Sequence, residues 1–227
     1  MAYSQVGIVN LSCGKIGAKS ISSMDDDSEQ AIKAKAAWDY VRDEVLEAAE
    51  WRFAKTRVAL AQSTTTPVSG WLYAYPLPSD FLRLCRGRID DPSVYPNVQN
   101  AAGYPTIYAG GIYLSIYDRI GYPYVVETLS TGRLCLFTNY DNSSANLYLV
   151  YIRRVVNVEL YSPSFISALS FRLAAELALA RVKGQQLFDR MMGMYEKALK
   201  QAEGITLSFD ELVNEQGSTA WELAGRS

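Results

Sequence analysis

Proline is confined almost entirely to the middle of this chain. Of the eight prolines among 227 residues, seven fall between Pro67 and Pro123, and the eighth is Pro163. Because proline breaks helix interiors, long helices are expected only before and after this stretch. Thirteen of the sixteen tyrosines lie between Tyr73 and Tyr161, and tyrosine favours strands. The predicted order is helical, then β-rich, then helical, which is an α+β fold.

Two helices are predicted ahead of the β-rich region, over residues 3–16 and 28–50. Gly17 is a natural stop for the first helix. An acidic run precedes the second helix, where Asp26 with Glu29, or Asp27 with Gln30, is expected to form a capping box. The apolar stripes have helical spacing, with Val6, Val9, Cys13 and Ile16 in the first helix and Ala31, Ala34, Trp38, Val41, Val45 and Ala48 in the second.

Strands and turns are predicted through the middle of the chain. A short helical segment is expected at Phe81–Leu84, a long surface loop at 90–106 and a hairpin turn at 130–132. The strands are expected at Trp71–Tyr75, Ile112–Tyr117, Tyr124–Thr128, Arg133–Phe137 and Asn146–Val156.

Two further helices are predicted after this region. Ser162 and Pro163 suit the cap and first position of a helix that runs to about Lys183 and stops at Gly184. A fourth helix covers about 185–203 and stops at Gly204, leaving an apolar tail without a clear period. The N- and C-terminal helices are expected to form a four-helix bundle with an inserted antiparallel β region. The divisions are 1–60, 61–160, 161–204 and a C-terminal arm at 205–227.

Composition excludes several kinds of site. The formal net charge is −2, histidine is absent and the three cysteines lie far apart. Without histidine there is no Ser-His-Asp triad and no His-ligated metal site. An odd number of cysteines argues against a disulfide framework, and a slightly acidic chain is not built mainly to neutralise phosphates. We therefore expect no cofactor and no metal, and synthesis in a reducing cytoplasm.

No membrane attachment is expected from the sequence. No apolar run approaches the roughly 20 residues that a membrane helix needs. Residues 1–7 lack the basic and apolar segments of a signal peptide.

The carboxylate pairs Asp43/Glu47 and Asp90/Asp91 are sequence neighbours, which does not place two carboxyl groups across a cleft as glycoside hydrolysis requires. A solvated helix face is the preferred interpretation of Asp43 and Glu47.

Two groups of residues are candidates for interfaces. Arg83, Arg86 and Arg88 form a basic cluster near Tyr73 and Tyr75 in sequence, which suits either subunit–subunit ion pairing, the preferred interpretation, or single-stranded nucleic acid. Tyrosine is enriched at protein interfaces, so the tyrosine-rich region is expected to contribute either assembly contacts or ordinary sheet packing. The remaining candidates are Tyr104 and Tyr108 from that region and Leu207, Phe209, Leu212 and Trp221 from the apolar tail.

A series of short motifs runs in order along residues 4–204. The motifs lie at Ile8–Gly17, Ile21–Ala31, Arg42–Leu46, Trp51–Ala54, Tyr75–Arg83, Tyr124–Glu127, Thr138-Asn139, Leu149–Arg153 and Leu173–Ala178. Each motif alone consists mostly of packing residues, but the ordered series resembles the head-to-tail adaptor of short-tailed bacteriophages, also called tail tubular protein A. The loop at 90–106 and the segment after Gly204 lie outside the resemblance.

The resemblance implies a subunit of a ring, usually dodecameric, in the neck of a virion. Such a ring sits below the portal protein and joins it to a distal tail tube or nozzle, and double-stranded DNA passes through its hole without specific binding. Head-to-tail association that closes by rotation would generate the ring. We expect a non-enzymatic structural protein, with the arm at 205–227 docking onto the portal or a neighbour. The alternatives are an enzyme that degrades envelope polysaccharide and a nucleic-acid-binding module.

Overall fold

The computed structural model describes residues 3–65, 67, 70–85, 108–109, 124–139, 147–179 and 184–224, with side chains described except at 108–109, 148 and 205–224. Four α-helices and two small sheets occur in these ranges, so the predicted α+β class is confirmed. The chain divides into two compact units. The first contains Met1–Ala54 and Arg154–Leu212, and the second contains Lys55–Arg153 and Val213–Ser227.

Serine caps the first three helices. Helix α1 covers Gln5–Lys15, α2 covers Glu29–Ala48 and α3 covers Pro163–Ala178. Each begins where a serine hydroxyl accepts a hydrogen bond from a backbone N–H three residues on, which satisfies one of the unpaired donors of the first turn. The caps are Ser4, Ser28 and Ser162. Gly17, at φ 63°, lets the chain leave α1, as predicted.

The acidic run before α2 does not form the predicted capping box. Ser28 is the cap, while Asp26 accepts hydrogen bonds from the backbone N–H groups of Ser22 and Ser23 and from the Ser22 hydroxyl. These bonds hold the pKa of the Asp26 carboxyl below its usual value. Ser28 occupies the cap position. Asp26 stabilises the turn ahead of the helix and does not cap it.

Two predicted helix ends are wrong. Helix α3 stops at Ala178 rather than near Lys183, and Gly184 begins helix α4, which covers Gly184–Ala224. A Cβ on Gly184 would lie 2.6 Å from the carbonyl oxygen of Ala178, so this position needs glycine for close backbone approach. Helix α4 continues through Gly204, since a glycine inside a helix costs only about 1 kcal/mol relative to alanine. The segment 205–224 is therefore helical.

Two sheets form the second unit. In sheet A every strand pairs with β7 (Leu147–Arg153): β1 (Lys55–Leu60) and β3 (Phe81–Leu84) are antiparallel to it, and the short β4 (Tyr108–Ala109) is parallel. In sheet B, β6 (Leu134–Thr138) lies between β2 (Tyr73–Pro76) and β5 (Tyr124–Thr128), all antiparallel. The predicted β region is thus antiparallel except at β4.

The sequence predicted these strands unevenly. Strand β5 has the predicted bounds, and the hairpin turn before β6 is confirmed, with Gly132 at φ 81°. Strand β1 was not predicted. Phe81–Leu84 is a strand rather than a helical segment, because it pairs with β7 across a bulge between Phe81 and Arg83. The predicted strand at 112–117 and the loop at 90–106 lie outside the described residues.

Each unit has its own apolar core. In the first, α1 and α2 pack against α3, and Trp51, Phe53, Tyr161 and Phe165 form an aromatic cluster beside them. In the second, the facing sides of the two sheets bury Leu60, Tyr75, Leu77, Leu136, Leu147, Leu149 and Tyr151. None of the helices in the described ranges is long and apolar enough to cross a membrane.

Candidate functional site

The described residues do not bring the predicted interface residues together. Arg83 lies half-buried on β3, and its Nε is buried without a hydrogen-bond partner. Tyr75 is fully buried in the core of the second unit and offers no ring for a base to stack on. Arg86, Arg88 and Tyr104 fall outside the described ranges. Tyr108 is on β4, and the predicted tail residues are on α4, where side chains are not described: Leu207, Phe209, Leu212 and Trp221.

A charged network crosses the seam between α2 and α3. Arg172 on α3 donates from Nε to Glu44 on α2 at 2.8 Å and from Nη1 to Glu176, one turn along α3, at 2.5 Å. Tyr40 on α2 lies close enough to the same Glu176 for that carboxylate to affect its pKa. Both helix-to-helix contacts satisfy one antiparallel register, since Tyr40 faces Glu176 and Glu44 faces Arg172. The network fixes how the two helices align.

The titrating groups of this network have shifted pKa values. Desolvation of its hydroxyl, followed by the neighbouring Glu176 carboxylate, raises the pKa of Tyr40 to about 12, although the residue as a whole is 50% exposed. Burial would lower the pKa of Arg172, but its hydrogen bonds with Glu44 and Glu176 outweigh that effect and raise it. The hydrogen bonds with the two glutamates thus favour the charged form of Arg172 at this seam.

An exposed apolar stripe lies on α2 beside this seam. Ile32, Ala36 and Tyr40 follow one another at four-residue spacing, and Ile32 and Tyr40 are 59% and 50% exposed. By the antiparallel register, the C-terminal end of α3 runs towards this part of α2, and Leu179, the residue after α3, is also exposed. We call these four residues the α2 patch. The sequence analysis missed it, although the four-residue spacing on the polar side of the helix was a usable signal.

A second ion-pair cluster involves one of the carboxylates considered as catalytic. Asp43 is half-buried and accepts from the buried Arg42 at 2.8 Å and from Arg154 at 2.7 Å. Arg42 also pairs with Asp39, one turn earlier on α2. The prediction of a purely solvated face is therefore wrong for Asp43, whereas Glu47 is exposed. Arg154 links α2 to the segment that precedes α3.

Metal ligands do not gather among the described residues. In the ranges that the structure covers, no three cysteine, aspartate or glutamate side chains are placed to hold one ion. Cys13, Cys85 and Cys135 are buried and do not form disulfides. Burial raises the pKa of the Cys135 thiol, which makes it a poor nucleophile.

A groove of about 450 Å³ lies in the second unit between β1 and the end of β2. The groove is lined by two continuous segments, 58–64 and 76–78, and by Arg133. The walls are mostly aliphatic, and the polar groups are those of Gln62, Ser63, Thr64 and Arg133. Pockets of this size that combine apolar walls with a few polar groups are typical binding sites.

Comparison with protein-family models and with curated proteins found no match for this chain. A functional assignment therefore depends on the motifs, surfaces and contacts of the chain itself.

Proposed function

We propose that this chain is the repeating subunit of a head-to-tail adaptor ring in the neck of a short-tailed bacteriophage. In this role it is a structural protein of the virion. It associates with further copies of itself, with a portal protein on one side and with a distal tail tube or nozzle on the other. The ordered motif series along residues 4–204 supports this proposal, as does the α+β arrangement in which helices flank a β region.

The α2 patch is the structural observation that carries the proposal. Ile32, Ala36 and Tyr40 are exposed at four-residue spacing on α2, Leu179 is exposed at the end of α3, and a ring subunit needs apolar surface for its neighbour. The Arg172 network lies directly beside the patch and fixes the two helices that present it. Held in a defined geometry, the patch loses little conformational entropy when a second copy packs on it.

We propose also that α4 completes a four-helix bundle with α1, α2 and α3. Where the side chains of α4 are described, four along one side are buried, and burial, followed by the charges of Glu44 on α2 and Arg172 on α3, shifts the pKa of one of them, Tyr195. The buried set is Met191, Tyr195, Ala198 and Ala202. Their spacing follows a single helix face, as packing against a bundle requires.

The length and charge of the chain suit the same role. The 41 residues of α4 span about 60 Å, which allows its C-terminal part to reach a portal or a neighbouring subunit. The net charge of −2 gives weak attraction to phosphate, so DNA can slide through the ring. Deleting residues 205–227 should abolish docking onto the portal, and unchanged docking would contradict this part of the proposal.

Particle mass tests the ring directly. Twelve copies of a 25.2 kDa chain give a closed particle of about 300 kDa. Mass photometry and electron-microscope images over rising concentration should show this particle with a central hole. The substitution Ile32→Asp places a charge in the α2 patch and should weaken association by roughly tenfold or more, because burying an unpaired charge is costly.

Leu72→Asp is the matched control. Leu72 is 64% exposed in the second unit, so the same charge introduced there should leave the particle mass unchanged. The proposal fails if the chain stays monomeric at every concentration and instead cleaves envelope polysaccharide. It fails equally if the chain binds free DNA with an affinity that falls steeply with salt, as a true nucleic-acid-binding module would.

A further inference from the structure

The groove of the second unit runs along strand edges rather than over a sheet face. Successive side chains of a strand point to opposite faces, so a cavity over one face would contact alternate residues. This groove instead contacts Val58, Ala59 and Leu60 in succession, and Pro76, Leu77 and Pro78 in succession. In the described part of the chain β1 is the end strand of sheet A and β2 is the end strand of sheet B. The groove therefore separates two sheet edges.

The hydrogen-bond phase of β1 points backbone groups into this groove. Cys85 N–H donates to the Val150 oxygen on the β3 side of β7, so Val150 faces β3 and its neighbour Leu149 faces β1. Val58, opposite Leu149, then bonds to β7, and Ala59 turns its N–H and C=O away from β7. Ala59 is exposed and contacts the groove.

Further along the chain, a backbone hydrogen bond from the same edge to β2 closes one end of the groove. Ser63, an even number of residues after Ala59, donates its N–H to the Ala74 oxygen of β2 at 2.7 Å. From Ala59 to Ser63 an extended chain covers about 13 Å, which is room for about four residues of a guest strand. The groove is thus a gap between two edges that meet at one end only.

The opposite wall cannot supply the same backbone groups. Pro76 and Pro78 have no N–H, and proline at an edge blocks strand pairing on that side. Leu77 uses its N–H on the Leu134 oxygen at 3.0 Å. A strand entering the groove must therefore pair with β1, while the two half-buried prolines offer it apolar contact.

Arg133 sets the charge of the preferred guest. It is exposed beside the groove, and its guanidinium has no ion pair or hydrogen bond within the described ranges. A carboxylate is the natural partner for an unpaired guanidinium, since the pair can form two parallel hydrogen bonds. Val58, Pro76 and Pro78 are half-buried and supply apolar contact for the side chains that alternate with that carboxylate.

We propose that this groove binds an extended, acidic and aliphatic peptide segment of a partner protein, which adds as a strand to β1. The guest exchanges backbone hydrogen bonds with Ala59, packs an aliphatic side chain against Val58 and Pro76, and sets a carboxylate against Arg133. Main-chain bonds supply affinity in this mode and the side-chain contacts supply selectivity. The inference rests on the second unit alone and does not depend on ring formation.

A labelled hexapeptide of alternating valine and glutamate, acetylated and amidated at its ends, is a suitable probe for the full chain. Fluorescence anisotropy should show saturable binding, and the backbone N–H signal of Ala59 should shift in the NMR spectrum as the peptide is added. The same peptide with glutamine in place of glutamate should bind roughly tenfold more weakly. A peptide with N-methylated valines should not bind, because it cannot form the strand bonds.

Two variants separate the two contacts. Arg133→Glu should weaken binding by at least roughly tenfold and remove the preference for glutamate over glutamine. Ala59→Pro removes the outward N–H without touching a bond to β7 and should abolish binding. Lys19→Glu, an equal charge change on an exposed residue of the first unit, is the control and should bind like the unaltered chain. Absence of saturable binding, or binding that Arg133→Glu leaves unchanged, would overturn the proposal.

Discussion

Arg172 shows how a single side chain sets the geometry of the helical unit. Its side chain is only 11% exposed, yet it bonds a carboxylate on each of two helices. A guanidinium suits this task because its donors form a rigid fork, whereas a lysine would offer one rotating point charge. The alignment of α2 with α3, and with it the position of the α2 patch, depends on this residue.

Replacing Arg172 by alanine should destabilise the chain by about 1 to 3 kcal/mol, because Glu176 would keep a half-buried carboxylate without its cation. Urea unfolding followed by circular dichroism measures the change. Arg190→Ala, on the exposed side of α4, should change stability by less than about 0.5 kcal/mol. Equal effects of the two substitutions would show that the network contributes nothing beyond surface charge.

At the scale of elements, the serine caps account for where the helices begin. Ser4, Ser28 and Ser162 each hold the first turn of a helix by the same bond, and Pro163 adds a fixed φ at the first position of α3. These boundaries follow from local chemistry, which is why Ser162 and Pro163 could be read correctly from the sequence.

Ser162→Ala should cost about 1 kcal/mol of stability, since it leaves the Phe165 N–H without its acceptor at the start of α3. Thermal unfolding provides the comparison. Ser167→Ala, the same substitution inside the same helix, should be neutral or slightly stabilising because alanine favours helix interiors. A cap variant as stable as the Ser167 variant would contradict the assigned role of Ser162.

The elements that the sequence did not predict depend on distant partners. Phe81–Leu84 and Lys55–Leu60 are strands because β7 lies between them, and nothing within either segment reveals a partner so far along the chain. Glycine is common at helix ends, yet α4 continues through Gly204. Asp26 has the right spacing for a capping box, but Ser28 is the cap. The local sequence pattern does not distinguish between these two cap residues.

Of the two candidate surfaces, one could have been predicted from the sequence and the other could not. The α2 patch follows from the spacing of Ile32, Ala36 and Tyr40, so it could have been found in the sequence. The groove could not, because it depends on which β1 residues bond to β7 and on the position of Arg133, which precedes β6 of the other sheet. The predicted arginine cluster contributes only Arg83 to the described residues.

At the scale of the whole molecule, buried tyrosines link stability to alkaline pH. Burial is the largest cause that raises the pKa of Tyr161 and Tyr195 in the first unit and of Tyr151 in the second, each to about 12. Tyr151 also donates to Asp80, and Tyr161 to the Val155 oxygen. All three hydroxyls therefore stay neutral in the folded chain to a higher pH than in the unfolded chain.

Stability should fall as the pH rises from about 10 to about 12. Below pH 10 both folded and unfolded chains keep these tyrosines protonated, whereas between the two values the unfolded chain loses protons that the folded chain retains. Each buried tyrosine contributes at most about 2 to 3 kcal/mol to this loss. Urea midpoints at several pH values, with tyrosinate absorbance, measure it.

Tyr195→Phe provides the internal comparison for this prediction. It removes one of the three groups while keeping the ring, so the fall in stability over the same pH window should be smaller. Urea midpoints that stay constant between pH 10 and 12 would contradict the raised pKa values, as would tyrosines that ionise near pH 10 in the folded chain.

The position of strand β7 in the chain determines how late sheet A can fold during synthesis. Every other strand of sheet A pairs with it, and β1 leaves the ribosome about 90 residues earlier. Helices α1 and α2 likewise wait for α3, which follows β7 in the chain. The sheets of the second unit cannot close until β7 has emerged, and the first unit cannot close until α3 has followed it, so apolar faces of both stay uncovered until late in synthesis. That interval is when a chaperone would have most to protect.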